Sequence, residues 1–175
     1  MDELQNRELL SSKVSALRDQ LAAINGGLPV PDYCENHAIN IILSFSLERA
    51  RAEGIQVQAD LRIPENIPVD ALELSAVLTS AIENAITACR KIPEKSERRL
   101  EISCYSTPRF VFEVANTYTG EIPMDENSVP IPPESGPDIG TRSINAFVQK
   151  HKALADYDVS GGMFRVRVAL LDLED

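Results

Sequence analysis

No stretch of this 175-residue chain reaches 18 consecutive apolar residues, so no segment reads as a membrane-spanning helix. Cysteine is scarce. Cys34, Cys89 and Cys104 show no C-x-x-C spacing, which argues against a zinc site or a disulfide framework and for buried thiols in a reducing compartment. Histidine is scarcer still: His37 and His151 stand far apart, without metal-ligand spacing. Positive charge is also short, with 17 Lys and Arg against 27 Asp and Glu and a formal net charge of -10. A nucleic-acid binder needs a basic footprint, so that class is set aside. A small anion held by backbone N–H groups and a divalent cation stays open. Met1 is followed by acidic and polar residues, so no secretory leader is expected. The 43% hydrophobic and 25% charged fractions are those of a soluble globular protein. The length predicts one domain, with room for an appended element.

The pattern along the chain supplies the elements. Leu10, Val14, Leu17, Leu21 and Ile24 step by four, three, four and three, a heptad seam over two heptads. A helix over 1–26 is expected, either docked on its own domain or forming the end of a stalk. "NGGLPVPD" then reads as a breaker and linker. A second helix is expected from Glu35 to Glu53, with Gly54 as its C-terminal cap. "IQVQADLRI" alternates as a half-buried strand. Asp70 with Glu73 forms a capping box for the next helix. On that helix Leu74, Val77, Leu78, Ala81, Ile82, Ala85, Ile86 and Cys89 make one apolar face. "RRLEISCYS" and "RFVFEVANT" predict two strands of a hairpin. "YTGEIPMDENSVPIPPESGPD" shows no period and reads as a long loop, functional as a lid or else disordered. "IGTRSINAFVQKHK" predicts a short helix, and "ALADYDVS" and "MFRVRVALL" predict a closing hairpin around "GG". The order predicts an α+β two-layer sandwich, a mixed sheet with helices on one face.

Three features carry chemistry. The long helix has a second stripe of Ser80, Glu83, Asn84 and Thr87, mostly short and uncharged. Asn and Thr are poor helix formers, so either a ligand or an overlying loop packs there. "NTYTG", Asn116 to Gly120, ends a strand, and "GPDIGTRSI", Gly136 to Ile144, opens a helix. Glycines admit close approach of a phosphate, and a helix N-terminus offers it free N–H groups. An amide oxygen on the facing helix can complete a Mg²⁺ shell with phosphate oxygens and waters.

In this arrangement "AVLTSAIENAITACRK" resembles the N box of the GHKL ATP-binding (Bergerat-type) fold. "FEVANTYTGEI" is similar to its first glycine box, "GPDIGTRSINAFVQKH" to its second, and "GGMFRVRVALL" to its closing hairpin. With "YCENHAINIILSFSLERARAEGI", the chain resembles the catalytic domain of sensor histidine kinases of the peptide quorum-sensing type. The resemblance implies a catalytic domain over 33–175, with 1–26 as the end of a dimerisation and phosphoacceptor stalk. It implies ATP and Mg²⁺ as ligands, Asn84 on the metal, and Glu83 as an acidic residue beside the transfer. Ser80, Asn116, Gly120, Gly136, Ile139, Gly140, Thr141 and Arg142 would contact the nucleotide. Several positions depart from the family pattern. Ser80 stands where asparagine is usual, Asn116 near the adenine-reading aspartate, Thr119 where many relatives carry aspartate, Asp138 in place of glycine, and Thr141 in place of leucine.

Neither His37 nor His151 sits in a phosphoacceptor motif, so the acceptor histidine and the response regulator are expected outside this chain. The resemblance further implies a cytoplasmic domain, either free-standing or the cytoplasmic part of a membrane sensor, and a homodimer through the first helix. Two other readings stay open. One is a non-catalytic interaction module with a decayed nucleotide site, favoured by Ser80, Asn116 and Asp138. The other is a serine kinase of the anti-sigma type, which shares the fold.

Overall fold

A computed structural model describes residues 32–131 and 139–171, with Ala23 besides. The expected helix over 1–26 lies outside the described residues, Ala23 apart. Helix α1, His37–Ala52, starts where the Asn36 side chain accepts from the Ile39 N–H at 3.1 Å. It is therefore shorter at both ends than the periodicity predicts. Gly54 follows with φ +78, the left-handed conformation that suits a residue without Cβ just past a helix end. Strand β1, Gln56–Leu61, leads to helix α2, Ala71–Arg90. Asp70 caps α2 by accepting from the Leu72 and Glu73 N–H groups at 3.0 Å each. The other half of the expected capping box does not form, because the Glu73 carboxylate reaches Lys150 and His151 instead.

The apolar face read from the sequence is the spine of the core: the eight residues from Leu74 to Cys89 are each no more than 4% exposed. Each fully buried Leu or Ile stabilises by about 1.5–3 kcal/mol relative to exposure. A short 3₁₀ turn, Lys95–Glu97, precedes β2, Arg99–Tyr105, and β3, Val111–Thr117. Helix α3, Ile139–His151, and the hairpin of β4, Leu154–Ser160, and β5, Met163–Ala169, complete the fold. Gly161 and Gly162 make the β4–β5 turn with φ 58 and 76, the doubly positive pair that a two-residue hairpin loop demands.

The five strands form one sheet in the order β1-β2-β3-β5-β4. β1 runs parallel to β2, from Gln56 opposite Arg99 to Leu61 opposite Cys104. All other pairs are antiparallel. Alternation sends Leu100, Ile102 and Cys104 of β2, Phe112 and Val114 of β3, and Val166 and Val168 of β5 into the core beneath the helices. The opposite face is polar. Arg165 joins Glu113 at 3.0 Å and Asp158 at 3.1 Å, and Arg167 joins Glu113 at 2.5 Å. This is the mixed-sheet, two-layer sandwich that the order of elements predicts.

Candidate functional site

At the end of the sheet where β3 finishes, α2, β3 and the first turns of α3 surround a cavity of about 330 Å³. Its residues reach it by simple periodicity. Ala81, Asn84 and Ala88 line it from α2 and Lys91 from the cap that ends the helix, at steps of three, four and three. Val114 and Asn116 line it from β3, Thr141 and Ile144 from α3, and Tyr157, Phe164 and Val166 from the closing hairpin.

Asn116 is the best-defined group. It is 4% exposed, and its Nδ2 donates to the Thr117 carbonyl at 2.9 Å. A carbonyl can only accept, so this bond fixes the orientation of the amide. Oδ1 is left as an acceptor without a partner among the described residues, in the wall of the cavity. Behind it Cys89 ties the sheet end to α2, with Sγ 3.4 Å from the Arg99 carbonyl oxygen and 3.6 Å from that of Thr117. Burial pushes the Cys89 thiol up, so it stays a neutral donor in that corner.

Asn84 is exposed at the cavity wall, free to offer its amide oxygen. The rest of the polar stripe does not join it. Neither Ser80, Glu83 nor Thr87 is among the residues that line the cavity. Glu83 leans toward α1, where Arg49 Nη2 meets Oε2 at 2.5 Å. Thr87 Oγ1 donates back to the Glu83 carbonyl at 2.9 Å. The facing row is therefore 81, 84, 88 and 91, a quarter turn from the row the sequence suggests. Lys91 is the residue this shift adds, two turns after Asn84 and the one cation among the described lining residues. A step of seven from Asn84 was the available signal.

The glycine-bearing segments divide. Gly120 has φ +86 and an exposed position outside the cavity lining. Thr119 is exposed as well. Gly136 and Asp138 lie outside the described residues. Ile139 and Gly140 open α3, whose Thr141 faces the cavity, while Arg142 is exposed and apart from it. The first half of the long loop is folded. Met124 and Pro130 form a bridge, and Asp125 Oδ1 accepts from the Asn127 and Val129 N–H groups at 2.8 and 2.9 Å. This small hairpin presents Ile122, Pro123, Pro130 and Ile131 as a wall of the cavity. Sequence reasoning also missed Tyr118, Glu121, Tyr157 and Phe164, which line the cavity from segments that meet only in the folded chain. Larger depressions, of about 440 Å³ beside Cys34 and about 500 Å³ on the polar sheet face, gather none of the predicted site residues.

The family described as the GHKL domain matches residues 69–171, more than half of the chain and all of the cavity. The chain belongs to the GHKL domain family. The fold agrees with solved structures at low identity. The histidine kinase AdeS of Acinetobacter baumannii aligns at TM-score 0.55 and 19% identity over 99% of this chain and 87% of that one. The catalytic domain of histidine kinase ThkA aligns at 0.58 and 14% over 77% and 90%. A mycobacterial sensor histidine kinase, MprB, aligns at 0.54 and 17% over 74% and 92%. No curated protein matches the sequence significantly.

The GHKL cavity suits the ligand that such domains bind. A volume of about 330 Å³ falls in the range of small-molecule sites. The Asn116 oxygen in the cavity wall fits an amino-group donor such as that of adenine, and Lys91 fits a phosphate. Asn84 supplies one hard oxygen, too few to hold Mg²⁺ alone but enough beside phosphate oxygens. Among the described residues no cluster of three His, Cys, Asp or Glu side chains could hold a metal ion.

Proposed function

We propose that this GHKL domain is the ATP-binding catalytic domain of a two-component sensor histidine kinase, of the peptide quorum-sensing type. Asn116 and Asn84 carry this reading, because one cavity offers both an oriented acceptor for a base and an oxygen for a cation. Mg²⁺–ATP would supply the γ-phosphoryl group and, through the metal, neutralise charge as it transfers. Asn116 would orient the adenine. Asn84 would stand toward the metal, and Lys91 and the first turn of α3 toward the phosphates, with Thr141 beside them. By the same family resemblance, Ser80, Gly120, Gly136, Ile139, Gly140 and Arg142 would also contact the nucleotide. Catalysis by such a site is mainly positioning. The acceptor histidine and response regulator would lie outside this chain. The first helix would pair with that of a second copy, and the domain would work in the cytoplasm, where its thiols stay reduced.

The observed pairing of Glu83 with Arg49 favours one rival. It draws the proposed acidic residue away from the cavity, as befits an interaction module that keeps the shape of the fold without its chemistry. Calorimetric titration with ATP, with and without Mg²⁺, separates the two. Saturable, metal-dependent binding is expected for the parent, and Asn84→Ala should weaken it by about tenfold or more. Equal binding by parent and variant would remove Asn84 from the site. No binding at millimolar ATP would leave the interaction module.

A further inference from the structure

An asparagine in a ligand cavity can be read in two ways. One end of its amide donates and the other accepts, and a half turn of the side chain exchanges them. A carboxylate accepts at both ends, so its orientation is immaterial. At Asn116, orientation therefore decides what the cavity wall offers, and the amide is held. Nδ2 lies 2.9 Å from the Thr117 carbonyl oxygen. The reverse orientation would set Oδ1 against that oxygen, acceptor against acceptor. In a residue only 4% exposed such a mismatch carries its desolvation cost without compensation.

The carbonyl that holds the amide is itself fixed. Thr117 ends β3, opposite Met163 of β5. On the other side its hydroxyl is clamped by the segment that leads from the 3₁₀ turn into β2. Oγ1 accepts from the Arg99 N–H at 2.9 Å and donates to the Glu97 carbonyl at 3.0 Å. A β-branched side chain has few choices of χ1, so fixing Oγ1 fixes the main chain that carries it. Cys89 Sγ, 3.6 Å from the Thr117 carbonyl oxygen, closes the corner from α2. A line of contacts thus runs from Glu97 and Arg99, through the Thr117 hydroxyl and carbonyl, to the Asn116 amide. It ends in an acceptor in the cavity wall. Thr117 itself is not among the described lining residues.

We infer that Thr117 is a positioning residue. It locks the Asn116 amide as an acceptor, and the cavity thereby selects bases with an exocyclic amino group over bases with a keto oxygen in its place. This rests on the reading of the cavity as a nucleotide site. Adenine, with its 6-amino group, gives Oδ1 a donor. Hypoxanthine, with a 6-oxo group, brings acceptor against acceptor. The two bases have nearly the same shape, so packing alone does not separate them. Without the clamp on Thr117 the amide can turn, and the choice between amino and keto weakens.

Calorimetric titration of the full chain with ATP and with inosine triphosphate, both with Mg²⁺, tests it. The parent should bind ATP roughly tenfold to hundredfold tighter than inosine triphosphate. Thr117→Val keeps the shape and loses both hydroxyl bonds, and should cut that ratio to about threefold or less. Thr117→Ser keeps the hydroxyl and should keep the ratio. The ratio is the readout because a general loosening of the site weakens both ligands alike. A second measurement needs no nucleotide. Hydrogen exchange of the Asn116 side-chain amide is followed by NMR, its signals assigned by their loss in Asn116→Asp. Exchange should be slow in the parent and about tenfold faster or more in Thr117→Val, with the exposed Asn84 as the fast standard. Equal affinity of the parent for the two nucleotides overturns the selectivity and leaves the nucleotide reading standing. An unchanged ratio in Thr117→Val removes Thr117 as the lock. Asn116 exchange as fast as that of Asn84 in the parent overturns the lock itself. Binding of neither nucleotide removes the nucleotide reading, and the selectivity with it. Three of these outcomes need only the parent, so poor folding of Thr117→Val does not shield the proposal.

Discussion

Thr79 carries a hydroxyl that α2 buries without using. Its neighbours show the usual solution: Ser75 Oγ donates to the Ala71 carbonyl at 2.7 Å, and Thr87 Oγ1 to that of Glu83. Thr79 Oγ1 is buried with no partner among the described residues. A buried hydroxyl without a hydrogen bond keeps its desolvation cost and gains nothing back. Valine has the same shape and no polar atom. Thr79→Val should therefore raise stability by about 1 kcal/mol, read as a higher urea midpoint at unchanged slope. A lower midpoint would mean that the hydroxyl has a partner after all. The two cavity asparagines differ from Thr79 in this respect. Asn116 spends its N–H on Thr117 and keeps an acceptor for the cavity, and Asn84 keeps its whole amide for solvent or ligand. The residue types were legible in the sequence, but the use each makes of its polar atoms was not. That depends on which carbonyl lies within 3 Å, and a carbonyl's place is set by the fold.

The tie between α2 and α3 belongs to the scale of elements. Glu73, in the first turn of α2, holds Lys150 and His151 at the end of α3, the His151 contact being 2.8 Å. His151 also packs on Phe147, with ring centroids 4.6 Å apart, and Phe147 meets Phe112 in the core. Hydrogen bonds from Lys150 and then His151 hold the Glu73 carboxyl below its ordinary value of 4.5. A carboxylate with a lowered folded-state pKa stabilises at pH above the ordinary value. The contribution is lost as pH falls through the lowered one. Glu73→Gln should melt below the parent near neutrality, and the gap should close as the pH drops below 4.5. A gap that persists undiminished at low pH would show that packing, not charge, joins the two helices. This tie explains why the capping box was only half right. Spacing can show that Glu73 could reach back to its own helix start, but not that Lys150 and His151 from α3 arrive there. The same limit runs through the fold. The apolar face of α2, the two hairpins and the Gly161–Gly162 turn follow from local period and turn chemistry. The parallel pairing of β1 with β2 and the placing of β5 between β3 and β4 join segments far apart in sequence. No local pattern encodes them.

At the scale of the whole molecule the three thiols report on the core. Cys89 and Cys104 are fully buried, and Cys34 is 9% exposed. Burial pushes the Cys104 thiol up to about 12, with a smaller push from Cys34. Burial likewise pushes Cys34 up to about 11, although its Sγ lies 3.5 Å from the Asn36 carbonyl. The unfolded chain would release both protons near 9.0. A raised folded-state pKa means that the native state keeps protons that the unfolded state gives up. Stability is thus fully present below pH 9.0 and falls as the pH rises from there through about 11 and then 12. The melting temperature should hold steady from pH 7 to 8.5 and decline beyond 9. Cys104→Ala should lower the neutral plateau by leaving a small cavity, and should flatten the alkaline decline. If the decline keeps its slope in that variant, other groups carry it. Labelling follows from the same burial. Thiolate is the reactive form, so native protein at pH 8 should react slowly. Cys34 should react first, through local opening of the entry segment held by Asn40, and Cys104 only when the whole sheet and helix layer come apart. Cys104 labelling at the rate of Cys34 would mean that the core opens together with its entry segment, and that the sandwich is one cooperative unit.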